Sequence, residues 1–112
     1  MAIYIHPQTS KRDIQSFLTQ ALLSCSVETD SAEEDGEISF IISGDFNLNI
    51  VDNPLLCDFM MGFGLNYIDS TGSTTLGGTK IDHTFAKNIE ISSKTSVCYF
   101  SYHRPIFIRV TL

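Results

Sequence analysis

Between residues 38 and 43 the chain carries Ile38, Phe40, Ile41 and Ile42 in a nearly continuous apolar run, and a polar Gly44-Asp45-Phe46-Asn47-Leu48-Asn49 follows. Such a run predicts a central β-strand buried on both faces. A strand of that kind needs a layer on each side, so it commits the chain to a layered fold built on a sheet.

The flanking segments supply the other elements. Ala2–Ile5 is β-branched and aromatic and is stopped by His6-Pro7, which predicts a short strand. Ser10 is placed to cap a helix, with Asp13 three residues on completing a capping-box pattern. Ile14, Phe17, Leu18, Ala21, Leu22 and Cys25 then form one apolar stripe. Asn53-Pro54 opens a second helix with stripe residues Leu55, Leu56, Phe59, Met60 and Phe63, and Gly64 is fitted to end it. Strands are expected around Leu65–Ile68, Thr79–Phe85, Thr95–Phe100 and Ile106–Leu112, with a turn at Gly77-Gly78. The order β-α-β-α-β-β-β predicts an α/β fold with a mixed sheet and two helices on one face. Nothing is assigned to the other face. Either the chain forms a homodimer or it is half of a larger fold, and in the second case that face should be apolar and exposed.

At 112 residues there is room for one domain, 1–112, and eight Phe with four Tyr are ample for a core. No apolar run approaches the ~18 residues of a membrane span, and no basic start leads into a secretory segment. A soluble intracellular protein, nuclear or cytoplasmic, is expected, unless a targeting segment has been lost. Cys25, Cys57 and Cys98 are odd in number, widely spaced and set in apolar stretches, which favours buried free thiols. The net charge of −6 is local in origin: Glu28, Asp30, Glu33, Glu34, Asp35 and Glu37 share one stretch without a Lys or Arg. It reads as a solvated acidic loop over about 28–37. The remaining seven acids match the seven basic residues, so overall charge does not exclude a nucleic-acid partner.

Three polar clusters fall where strands end. Asp45 and Asn47 would project together beyond the carboxyl edge of a buried strand, where a carboxylate can activate water and an amide can hold an oxyanion or a metal ion. An Asx turn is the plainer alternative. Alternation puts Ile81, His83 and Phe85 on one face and Asp82 and Thr84 on the other. Asp is disfavoured inside a strand and needs a partner such as an imidazole; an exposed edge strand is the other option. His103 and Arg104, in Ser101-Tyr102-His103-Arg104-Pro105, suit a phosphate ester, though a polar inter-strand loop would look the same. Together the clusters form the donor set of metal-assisted hydrolysis.

Gly44-Asp45-Phe46-Asn47, then Ile81-Asp82-His83, then His103-Arg104-Pro105-Ile106 resemble, in order, the GDFN, ID-hydrophobic and SDH-x-P motifs of the endonuclease/exonuclease/phosphatase superfamily. Tyr4-Ile5-His6-Pro7 resembles the Tyr-x-x-Pro strand end that precedes GDFN. Thr74-Thr75, Gly78-Thr79 and Lys80 are similar to the TT-x(n)-GT-x-ID pattern of mobile-element copies, in non-LTR retrotransposons and alongside Helitron-type helicases. The resemblance runs from Tyr4 to about Ile108. It implies the C-terminal half of a DNase I-like α/β sandwich, with DNA as the substrate and Mg²⁺ as the cofactor. It implies that Asp45 aligns or deprotonates the attacking water while Asn47 holds it or a phosphate oxygen, both residues also being candidate metal ligands. His103 would contact the scissile phosphate, oriented by Asp82; Tyr4 would hydrogen-bond that phosphate, and Arg104 is the candidate substrate-binding cation.

Two departures accompany the resemblance. The first half of the sandwich, which brings an Asn and a metal-binding Glu, has no counterpart here. Tyr102 stands where the last motif carries an Asp, and a phenol is a poor Mg²⁺ ligand at neutral pH. The expected function is a truncated Mg²⁺-dependent endonuclease domain of a mobile element. Its alternatives are an inactive remnant kept for binding or assembly, and a phosphatase on a small substrate.

Overall fold

The computed structural model describes residues 1–30, 39–69, 72–95, 101–104 and 106–111; of 25–30 and 111 only the backbone is described. The elements are β1 (Ala2–Tyr4), α1 (Lys11–Asp30), β2 (Phe40–Asp45), α2 (Leu55–Met61), β3 (Asn66–Ile68), β4 (Asp82–Lys87), β5 (Glu90–Thr95) and β6 (Ile106–Thr111). A mixed sheet has the order β1-β2-β4-β3, with β1 parallel to β2 and the other pairs antiparallel; β5 and β6 form a separate antiparallel pair.

The α1 cap forms as its residues imply, with the Asp13 N–H donating to Ser10 Oγ at 3.1 Å. Ile14, Leu18 and Leu22 are buried, and they share one core with Leu56 and Met60 of α2 and with Ile3, Ile42, Phe46 and Phe85 of the sheet. Phe17 lies at the edge of the helical arc and is exposed, so the working stripe is narrower than its apolar residues suggest. α1 continues to Asp30, because no Gly or Pro intervenes. Glu28 and Asp30 are therefore helical rather than part of a loop, while 31–38 lies outside the described residues. α2 ends in a Schellman motif: the Leu65 N–H donates to Met60 O, the Gly64 N–H donates to Met61 O, and Gly64 has φ +80°.

β2 is an inner strand, closed more deeply on its helix side than on the other. Ile42 is buried, whereas Ile41 and Ser43 on the other side are half-buried. The opposite face is not the bare apolar surface expected of it. It grades from Ile41 and Ala86 through a Ser43–Thr84 hydroxyl pair at 2.8 Å to Asp45 and Asp82, and Thr84 and Ala86 are buried. Small side chains that bond to each other lower the apolar content of that surface. β5 answers to no strand expected from the sequence, since Ile91 is the one large apolar residue among its six. Of the Thr95–Phe100 strand, residues 96–100 lie outside the described residues, as does Cys98. Cys57 is a free, half-buried thiol. No helix among the described residues is long and apolar enough to cross a membrane.

Gly44 sits where β1 passes closest to β2, and a Cβ there would lie 2.0 Å from the Ile3 carbonyl oxygen. A Cβ at Gly64 would meet only the flexible end of Lys87, at 3.3 Å. Gly44→Ala is expected to cost more than about 3 kcal/mol, by forcing the edge strand away. Gly64→Ala is expected to cost about 1 kcal/mol, the penalty of a left-handed Ala. Urea unfolding of both variants measures the difference; equal effects would mean that β1 is not docked as described.

Candidate active site

The β2–β4 register places Asp45 directly opposite Asp82, and Tyr4 lies beside Asp45 on β1. All three share the face away from the helices, because Ile42, Phe46, His83 and Phe85 occupy the other one. His103 reaches this row from the segment before β6, through a bridge with Thr75. The Leu76 N–H donates to Tyr102 O at 2.8 Å and the Arg104 N–H to Thr74 O at 2.7 Å.

His103 Nδ1 lies 2.8 Å from Asp82 Oδ2, and Nε2 lies 3.5 Å from Asp45 Oδ2. A carboxylate can only accept, so Nδ1 carries the proton and Nε2 faces Asp45. Asp82 thus has the imidazole partner expected of it, but β4 begins at Asp82 and not at Thr79, so the acid opens the strand and does not lie inside it. The nearest donor atoms of Asp45, Asp82 and His103 lie within 4.8 Å of one another. Among the described residues no other cluster of His, Cys, Asp and Glu is this close. Two oxygens and one imidazole nitrogen suit a divalent cation.

Asp45 Oδ1 accepts the Asn47 N–H at 2.9 Å, so the Asx turn and the site are the same structure. Asn47 has φ +50°, and its amide donates to Ile5 O, tying the end of β1 to the loop. One amide hydrogen is committed there. Burial raises the Asp45 carboxyl pKa above its ordinary value, the Asn47 N–H opposes that, and the Asp82 charge adds to it. His83 faces the helices, buried among Phe46, Phe85 and Tyr67, with Nε2 donating to Leu48 O at 2.6 Å. Burial holds its pKa below the ordinary value, which favours the neutral ring. His83 is therefore a strut under the GDFN loop.

Tyr4 is 63% exposed beside Asp45. Arg104 is half-buried, and its Nε has no hydrogen-bond partner among the described residues. Tyr102 is exposed, its ring edge-on to His103 and its hydroxyl over Gly77, where a Cβ would meet it at 2.2 Å. The polar residue missed as a player in its own right is Thr74, which is fully buried and reads in sequence only as half of a Thr-Thr pair.

Solved structures share this fold. CdtB, the biologically active subunit of cytolethal distending toxin, superposes with a TM-score of 0.60 at 15% identity, over 86% of this chain and 42% of its own. The cytolethal distending toxin from Actinobacillus actinomycetemcomitans superposes with a TM-score of 0.66 at 12% identity, over 96% of this chain and 47% of that one. The chain thus spans less than half the length of each. No family model and no curated protein matches the sequence. The fold is accordingly a fragment of the DNase I-like α/β sandwich, as the resemblance implies.

A carboxyl with a folded pKa above its unfolded value holds its proton more tightly in the fold. The resulting stability is present at low pH and is lost as pH rises through the folded value, so at neutral pH the Asp45 charge is a net cost. Asp45→Asn keeps the acceptor for Asn47 and removes that charge. It should stabilise the chain by about 0.5–1 kcal/mol at pH 7 in chelator-containing buffer. Urea unfolding decides it, and an Asn variant less stable than the parent would show that the carboxylate is favourably solvated.

Proposed function

We propose that this chain is the catalytic layer of a divalent-cation-dependent phosphodiesterase acting on nucleic acid, Mg²⁺ being the expected ion. The observation that carries it is the meeting of Asp45, Asp82 and His103 at one sheet edge, in a fold shared with a toxin subunit described as biologically active. The ion, held by Asp45 with Asp82, His103 or the Asn47 carbonyl, would offset charge on the phosphate and acidify a bound water. Asp45, beside His103 at the strand end, is placed to align the attacking water or take its proton. Asp82 holds the His103 ring, so that Nε2 can contact a phosphate oxygen. Tyr4 is exposed beside Asp45, where its hydroxyl can donate to the same phosphate, and Arg104 supplies the nearby cation.

In this reading activity requires the other layer of the sandwich, with its metal-binding Glu, because Tyr102 brings no carboxylate. The same residue favours one competing reading, a domain kept for binding. The mobile-element origin rests on the Thr74-Thr75…Gly78-Thr79 resemblance. The test uses the chain alone and a chimera in which it replaces the matching part of CdtB. The chain alone should leave supercoiled plasmid intact in Mg²⁺. The chimera should nick it, and His103→Ala should lower nicking about 100-fold or more. Nicking by the chain alone that Asp45→Ala abolishes would show that one layer suffices. A folded but inert chimera would remove the nuclease reading in favour of the binding domain.

A further inference from the structure

We infer that Thr74 is a positioning residue for the Asp82–His103 pair. Its hydroxyl oxygen accepts the N–H of both Ile81, at 3.0 Å, and Asp82, at 3.1 Å. Its carbonyl accepts the Arg104 N–H at 2.7 Å, and its own N–H donates to Thr79 O at 2.9 Å. One fully buried residue therefore grips both segments that carry the pair.

The grip falls where the sheet gives none. β3 ends at Ile68, opposite Thr84, so its ladder stops before Asp82. The Asp82 N–H would otherwise lack that partner, and a hydroxyl with two lone pairs can serve it and Ile81 together. Thr75 has a separate task. Its Oγ1 pairs with Thr79 Oγ1 at 2.7 Å and accepts the Thr79 N–H at 3.2 Å, closing the turn through Gly77 and Gly78. The two threonines thus divide the work: Thr75 shapes the turn, and Thr74 joins it to the acid and the histidine. That the positioned pair is catalytic rests on the proposed function; that Thr74 positions it does not.

The test is NMR of the ¹⁵N-labelled 112-residue chain at one fixed pH. It reads the downfield Nδ1–H resonance of His103 and its two ring-nitrogen shifts, which report the bond to Asp82. Thr74→Val, equal in shape but without the acceptor, should lose the resonance and average the ring shifts. Thr74→Ser should restore both, and Thr75→Val should keep them whatever it costs in melting temperature. A folded Thr74→Val chain with an unchanged resonance overturns the proposal, as does Thr75→Val losing it equally.

Should Thr74→Val fail to fold, the parent chain decides on warming below its melting point. The His103 resonance should vanish together with amide protection at Ile81 and Asp82; a resonance outlasting that protection overturns the proposal. No nucleic acid enters the measurement, so a chain that never cleaves DNA leaves the outcome readable.

Discussion

Asp45 and Asp82 face each other across the β2–β4 ladder, and like charges so placed destabilise a sheet. The site can be read as a set of partial answers to that repulsion. The Asn47 N–H takes one oxygen of Asp45, and His103 sits between the two carboxylates. The register that creates the conflict also builds the core, since Ile42 opposite Phe85 and Gly44 opposite His83 fill the helix side. A slip of one residue would send the acids into the apolar layer and the aromatic rings out of it. Core packing therefore enforces an arrangement that electrostatics alone would reject.

Two histidines show what that division of faces does. His83 and Asp82 are neighbours in sequence and point to opposite sides. Buried among aromatic rings and bonded to Leu48 O, His83 is held neutral and supports the loop from beneath. His103 comes from another segment, keeps one nitrogen on Asp82 and turns the other toward Asp45. Alternation along β4 turns His83 away from Asp82, and the chain brings His103 to Asp82 from a separate segment.

Local signals carried much of this into the sequence. Ser10 with Asp13, and Gly64 after the second apolar stripe, mark helix ends because a cap is settled within a few residues. Alternation through Ile81–Phe85 told which side Asp82 would take. That Asp82 would meet His103, twenty-one residues on, is expected from the placement of both motifs at strand ends together with the motif resemblance, since periodicity says nothing about which strand ends converge. β5 escaped notice because alternate polar residues around one Ile carry almost no apolar signal. The polarity of the second sheet face was misjudged for a related reason. An apolar run signals burial, but Ser43 and Thr84 satisfy each other across the ladder, and neither residue shows that partnership in sequence.

Tyr102 stands where the resembling motif carries an acid, and the same electrostatics bear on it. Asp45 and Asp82 bring two carboxylates to one imidazole, so acidic groups outnumber basic ones in the cluster. A third carboxylate at 102, adjacent to His103, would add a like charge beside the two already present. The phenol instead lies over Gly77 with its ring edge-on to His103, adding no charge. The cluster is thereby spared a further like charge.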